Sequence, residues 1–143
     1  MWICRDTEPI DDRLDARASV LVPTMGALHE GHLALIRRGV GHAERHALEG
    51  GCVVWIFVNP TQFDDPADYA RYARTLDEDC EKCRACGASG VYAPSVDAVY
   101  PPGEPIHAPP LPGQAVDKGL EDAHRTGHFE GVCQVVRRMF DLV

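Results

Sequence analysis

His29 and His32 stand three residues apart in PTMGALHEGHL, Pro23 to Leu33, with Gly26 and Gly31 around them. Two imidazoles can donate or accept hydrogen bonds near neutral pH, and two glycines admit a ligand close to the backbone. The combination suits an anion, a phosphate above all. For that chemistry the stretch has to lie where a strand hands over to a helix. The apolar run from Ser19 to Val22 reads as the strand, and Leu33, Leu35, Ile36 and Val40 recur behind it at helical spacing. Both histidines then fall at or near the first turn of that helix, beside backbone N–H groups that a helix start leaves unpaired. The plainer reading, polar residues at a helix start, accounts for one histidine more readily than for two flanking a glycine. HEGH is not the HExxH of zinc proteases, and no third ligand is evident. His42 and His46, at i and i+4, have better metal spacing but lie beyond the expected ligand end and read as a solvated face.

Other residues with chemical capacity are less self-explanatory. Asn59 and Gln62, in FVNPTQF, follow an apolar run directly, and carboxamides there both donate and accept, which suits a ligand with hydroxyl and carboxylate groups. They serve equally as turn residues. Glu121, Arg125 and His128 form a charged cluster that reads either as a site or as the exposed cap of the last helix. Cys80, Cys83 and Cys86 in CEKCRAC have part of an iron–sulfur spacing, but no fourth cysteine with a following proline comes after them. On a helix they drift along one stripe with Leu76, as a buried face does, so core packing is the first reading and a metal or cluster site the second.

These residues need a scaffold. The 143 residues suffice for one domain, taken here as 1–143, and the formal charge of -8 argues against a nucleic-acid or anionic-membrane surface. No stretch approaches the roughly 18 to 20 apolar residues of a membrane span, and the charged segment from Met1 to Arg17 lacks the apolar heart of a signal peptide. A cytoplasmic protein is expected. A first helix is predicted from near Gly31 to Leu48, with Gly39 and Gly41 weakening its middle. A fully buried strand follows over Cys52 to Val58, apolar throughout and bounded by Gly-Gly and Asn-Pro. Strand, helix and strand spell a βαβ unit, and the polar stretch from Asn59 to Asp68 is read as the loop leaving its sheet, where ligands bind in open parallel folds. A second helix is expected from about Arg74 or Thr75 to Cys86, a third strand over Gly90 to Ala93, a proline-dense loop from Val99 to Pro112, and an amphipathic helix from His128 to Val143. A sheet of three strands with a bare edge is a poor end for such a fold, so the sequence reads as a fragment.

Taken together the blocks become specific. PTMGALHEGHL, IFVNPTQF from Ile56 to Phe63, RYARTLDED from Arg71 to Asp79 and GHFEGVCQVV from Gly127 to Val136 occur in the order in which they resemble the pantoate–β-alanine ligase family. The resemblance implies an α/β, Rossmann-like domain with a parallel sheet. It implies ATP with Mg²⁺, pantoate and β-alanine as substrates, a pantoyl-adenylate intermediate, release of AMP and pyrophosphate, and a homodimer. By position it implies that Met25, Gly26, Ala27, Leu28, His29, Glu30, Gly31 and His32 line the ATP site, with His32 catalytic and His29 supporting it. Gln62 would contact pantoate and β-alanine, Asn59 would shape that pocket, and Tyr72, Glu121 and Arg125 would border the site.

Asp64, Ala73, Asp122 and Thr126 depart from the family pattern of glycine or proline, which affects loop conformation more than chemistry. Cys80 and Cys83 take positions that resemble leucines in relatives, which favours the core reading. Family members continue into a GEKD-like segment with an ATP-contacting lysine, an MSSR segment and a smaller C-terminal domain, and none of these occurs in the sequence. The expectation is an N-terminal part that is inactive alone. The alternative is a non-catalytic nucleotide-binding or assembly module derived from the same fold.

Overall fold

The computed structural model describes residues 1–5, 18–104, 109–111 and 128–142. They fall into two compact units, one of Met1–Val58 with Ala73–Ser95, the other of Asn59–Tyr72 with Val96–Leu142. In chain order the elements are β1 (Trp2–Cys4), β2 (Ser19–Thr24), α1 (Glu30–Arg45), β3 (Gly51–Ile56), a 3₁₀ turn (Pro60–Gln62), α2 (Pro66–Arg71), α3 (Leu76–Ala85), β4 (Gly90–Tyr92), α4 (Val96–Val99) and α5 (His128–Leu142).

The first unit is an all-parallel sheet in the order β1-β4-β3-β2. Among the described residues it has four strands rather than the expected three, because Trp2–Cys4 pairs with β4 in the register Trp2 to Gly90. The charged N-terminal composition hid this strand. Gly90 makes room for it, since a Cβ there would run into the Trp2 indole. β2 continues past Val22 to Thr24, with Pro23 opposite Trp55. A proline without an N–H is tolerated there because β2 is an edge of the described sheet. β3 lies between β2 and β4 and is buried from Cys52 to Ile56, which is why its sequence is apolar on both alternating faces.

One face of this sheet meets α1 and α3 in a core of Val22, Leu28, Ile36, Cys52, Val54, Ile56, Cys80, Cys83 and Val91. Gly39 is a close-packing residue rather than a weakness: a Cβ on it would stand 2.9 Å from Cys52 Sγ. Gly41 faces open space, with nothing within 4 Å of such a Cβ. α1 ends earlier than Leu48, in a turn where Leu48 N–H donates to Ala43 C=O at 2.9 Å and Ala47 N–H to Glu44 C=O at 3.2 Å. That pair of bonds requires a left-handed residue, and Ala47 supplies it at φ 50°. Alanine and glycine thus occupy the reverse of their preferred places. Gly41→Ala and Ala47→Gly are each expected to raise stability by about 0.5–1 kcal/mol, read as increases in urea midpoint at constant slope.

The cysteines of CEKCRAC pack into the core, with Cys83 wholly buried and Cys80 and Cys86 nearly so. Burial, reinforced by the neighbouring thiols, pushes Cys83 up to about 12, and burial pushes Cys52 up to about 11. A thiol with a pKa near 12 is ionised to roughly one part in 10⁴ at pH 8. Iodoacetamide is therefore expected to leave Cys52 and Cys83 unmodified at pH 8 until denaturant is added, as peptide mapping would report. Rapid native labelling of Cys83 would contradict the packing. The raised values also have a stability consequence: the unfolded thiols ionise first, so stability falls as pH rises from about 9 towards 11–12.

The second unit shows where a predicted loop is in fact structured. Asp65 caps α2, accepting from Ala67 N–H at 2.7 Å, and Pro66 takes the first helical position. The end of the stretch expected to be a loop, Asn59 to Asp68, is thus a helix start. α5 buries Gly131, Val135 and Met139 and exposes Phe140.

Candidate functional site

The segment that joins β2 to α1 is held by side chains of β2 and α3. Thr24, buried, donates its hydroxyl to Trp55 C=O at 3.0 Å and accepts Gly26 N–H at 3.2 Å. Gly26 and Ala27 are both left-handed, at φ 80° and 50°. Their turn is closed by Asp79 of α3, whose carboxylate accepts Ala27 N–H and Leu28 N–H, each at 2.8 Å. Asp79 is wholly buried and also accepts the Thr75 hydroxyl at 3.1 Å. Thr75 is the N-cap of α3, but its hydroxyl serves the Asp79 carboxylate and makes no capping hydrogen bond. Lys82 donates to Leu28 C=O at 2.9 Å, and the Leu28 side chain anchors the turn in the core.

α1 then opens with an imidazole version of a capping box. His29 is the N-cap and accepts Gly31 N–H on Nδ1 at 3.1 Å, while His32 Nδ1 accepts His29 N–H at 3.4 Å. Gly31 permits the first of these, since a Cβ there would lie 3.0 Å from the His29 ring. The ring centroids are 4.1 Å apart. The backbone donors of Gly26, Ala27, Leu28, His29 and Gly31 are therefore engaged, which corrects the expectation of unpaired N–H groups beside the histidines. An acceptor Nδ1 leaves the ring proton on Nε2, so each imidazole offers an Nε2–H donor instead. Burial lowers the pKa of His32, the charge of His29 lowers it further, and Asp79 partly counters both. Met25 and Ala27 are half-buried, and Glu30 is exposed and paired with Arg37 at 3.5 Å.

Asn59, Gln62 and Tyr72 belong to the second unit. Asn59 is buried with its carboxamide fully engaged: Nδ2 donates to Gln62 Oε1 at 3.0 Å and Gly131 C=O at 3.1 Å. Its Oδ1 accepts from Thr61 N–H at 3.3 Å, Thr61 Oγ1 at 3.0 Å and Tyr100 OH at 3.0 Å. With its oxygen held by Asn59, half-buried Gln62 has its own Nε2 donors turned away from that bond. Gly131 lies so close to Thr61 that a Cβ would collide with the Thr61 carbonyl. Tyr72 stacks edge-on to Phe63 at 5.5 Å. Glu121 and Arg125 lie outside the described residues.

Each cluster is assembled within its own unit, and each depends on residues that local patterns did not mark. By local pattern Asp79 is one of three acids, with Asp77 and Glu78, in the first turn of α3. Its spacing from Leu76 and Cys83 on a buried stripe was the available signal. Tyr100 and Gly131 carried none, because their roles rest on contacts 41 and 72 residues away along the chain.

A parallel α/β sheet with a clamped, histidine-bearing strand-to-helix turn defines a Rossmann-like protein, a class that receives its ligands beyond the carboxyl ends of the strands. Residues 4–143 match the family model for pantoate-beta-alanine ligase. The chain belongs to that family. It is 48% identical over 123 residues to the pantothenate synthetase of Bacteroides thetaiotaomicron, covering 86% of this chain and 40% of that protein. It is 46% identical over 148 residues to that of Phocaeicola vulgatus, covering 100% of this chain and 49% of the relative. Among solved structures, pantothenate synthetase from Thermus thermophilus superposes with a TM-score of 0.84 at 37% identity, covering 100% of this chain and 49% of that one. The pantoate-beta-alanine ligase of Francisella tularensis, complexed with β,γ-ATP and β-alanine, superposes with a TM-score of 0.79 at 30% identity over 99% of this chain and 53% of its own. The chain thus spans about half the length of the proteins it resembles.

Proposed function

We propose that this chain is the N-terminal, nucleotide-binding part of an ATP-dependent ligase that joins pantoate to β-alanine. The observation that carries the reading is the family match over residues 4–143, which includes the clamped turn bearing His29 and His32. A pantoate carboxylate oxygen attacks the α-phosphorus of ATP as the bond to pyrophosphate breaks. The β-alanine nitrogen then attacks the acyl carbon, loses a proton and expels AMP. His32, with His29 beside it, directs Nε2–H at phosphate oxygens, where charge grows during the first step. The stretch from Met25 to His32 lines the nucleotide site. Gln62 donates to pantoate and to β-alanine, and Asn59 acts through it by fixing its orientation. Tyr72, Glu121 and Arg125 border the pocket.

Mg²⁺ is assigned as a companion of the nucleotide. Such an ion would be carried mainly by phosphate oxygens and water; among the described residues no group of three or more His, Cys, Asp or Glu side chains gathers to hold a metal. When bound it supplies charge neutralisation on the phosphates. A cytoplasmic homodimer completes the reading; among the described residues no helix is long and apolar enough to cross a membrane.

The test is to give the full-length product of the encoding gene ATP, Mg²⁺, pantoate and β-alanine, and to follow AMP and pantothenate by mass spectrometry. Absence of amide product would overturn the assignment. A second reading, a non-catalytic nucleotide-binding or assembly module of the same fold, draws on the departures from the family pattern at Asp64, Ala73, Asp122 and Thr126. Saturable ATP binding without adenylate formation in a verified complete reading frame would favour it.

A further inference from the structure

We propose that Asp79, with Lys82 one turn further along α3, is a positioning residue for nucleotide binding: together they clip the backbone of the Ala27–Leu28 turn and so aim His29 and His32. The inference rests on the reading of that turn as the nucleotide site. A carboxylate buried in an apolar core is costly unless its oxygens are hydrogen-bonded, and here the partners are the backbone N–H groups of Ala27 and Leu28 and the Thr75 hydroxyl. Lys82 donates to Leu28 C=O and stands 3.9 Å from Asp79 Oδ1. Leu28 is therefore gripped on both its donor and its acceptor from a single helix face.

The clip holds a conformation that the chain would not choose locally. Ala27 carries a Cβ at φ 50°, a region that disfavours non-glycine residues by about 1–2 kcal/mol. Gly26 precedes it at φ 80°, and a Cβ there would meet Asp79 Oδ2 at 3.1 Å and Ile56 Cγ2 at 3.2 Å. Two consecutive left-handed residues swing the chain from the end of β2 to His29, the N-cap of α1. Without the carboxylate, the Ala27 and Leu28 N–H groups lose their acceptor and Ala27 can relax to φ below zero. The His29–His32 pair then leaves its present place at the sheet end.

The experiment uses the full-length gene product and four variants: Asp79→Asn, Lys82→Met, Ala27→Gly, and Asp79→Asn combined with Ala27→Gly. Expected for Asp79→Asn are loss of hydrogen-exchange protection at the Ala27 and Leu28 amides and a rise of about tenfold in KM for ATP, with KM for pantoate within about twofold. Lys82→Met is expected to raise KM for ATP by about threefold. Ala27→Gly, which accepts the left-handed turn without strain, is expected to recover at least about threefold of the Asp79→Asn loss. Unchanged exchange and KM in Asp79→Asn overturns the proposal. So does an equal rise in every KM, which marks general damage, or a raised Mg²⁺ requirement with the amides still protected, which makes Asp79 a metal ligand. Should Asp79→Asn fail to fold, Lys82→Met decides alone, and no change in its KM for ATP counts against the clip. A wild-type protein that binds no ATP but keeps Ala27 and Leu28 protected, and loses that protection in Asp79→Asn, refutes the nucleotide reading while leaving the clip itself standing.

Discussion

His32→Ala in the full-length gene product is expected to slow adenylate formation by about 10²- to 10³-fold, the usual consequence of deleting one preorganised donor to developing charge. The size follows from the state of the ring. Its Nδ1 is held by His29 N–H, so the proton sits on Nε2 and the donor direction is set before the nucleotide arrives. Burial first, and the charge of His29 second, hold the His32 pKa below 6.5, so the neutral donor predominates at pH 7. Alanine removes both the donor and the acceptor that completes the cap. Glutamine at the third helical position is a natural capping-box partner, so His32→Gln is expected to keep the helix start and fall between the wild type and alanine. Rapid-quench measurement of pyrophosphate release reads this step directly, and a loss under about threefold for His32→Ala would remove His32 from the chemistry.

The same lowering sets a pH dependence of stability. The unfolded imidazole protonates near 6.5 and the folded one only below that, so the unfolded state binds more protons in between. The contribution of the neutral cap is complete above about pH 6.5 and is lost as pH falls through the lowered folded value. His32→Gln, with no titrating group at this position, is expected to lose less stability over that window.

Asn59→Asp is expected to cost about 3 kcal/mol of stability, several times the effect of an ordinary surface change. The substitution keeps the shape but turns two donors into an acceptor. Gly131 C=O and Gln62 Oε1, now satisfied by Nδ2 at 3.1 and 3.0 Å, would face a carboxylate oxygen in a buried site. Protonation would restore one donor, so the deficit is expected to shrink as pH falls towards about 5. Gln62 would lose its orientation as well, so a rise in KM for pantoate should accompany the loss of stability. Urea denaturation measures the first and steady-state kinetics the second. A cost below about 1 kcal/mol would show that the Asn59 carboxamide does not organise this turn.

Much of the architecture was legible because it is local. The run from Cys52 to Val58 suits a strand buried on both faces, and the strand spans Gly51–Ile56; Gly87, at φ 84°, ends α3 as a left-handed cap residue should. The blocks around His29, Asn59 and His128 carried enough specific residues in order to name the family. What misled was also local. Charged neighbours hid the strand Trp2–Cys4, and Asp65-Pro66 looked like a loop although it starts a helix. The cysteine spacing did not mislead: the stripe with Leu76 favoured core packing over a cluster, and the thiols of Cys80, Cys83 and Cys86 are buried.

The sequence by itself determined which residues could carry chemistry and which periodic faces had to be buried, since residue type and spacing are properties of the chain. Only the tertiary structure decided how those residues are held. The turn before His29 is closed by acceptors 51 and 52 residues away, and Asn59 is engaged by a carbonyl 72 residues away. Periodicity reports that a position faces inward, but not which backbone N–H lies opposite. A helix-start acid and a buried clamp therefore read alike until α3 packs against the β2–α1 turn.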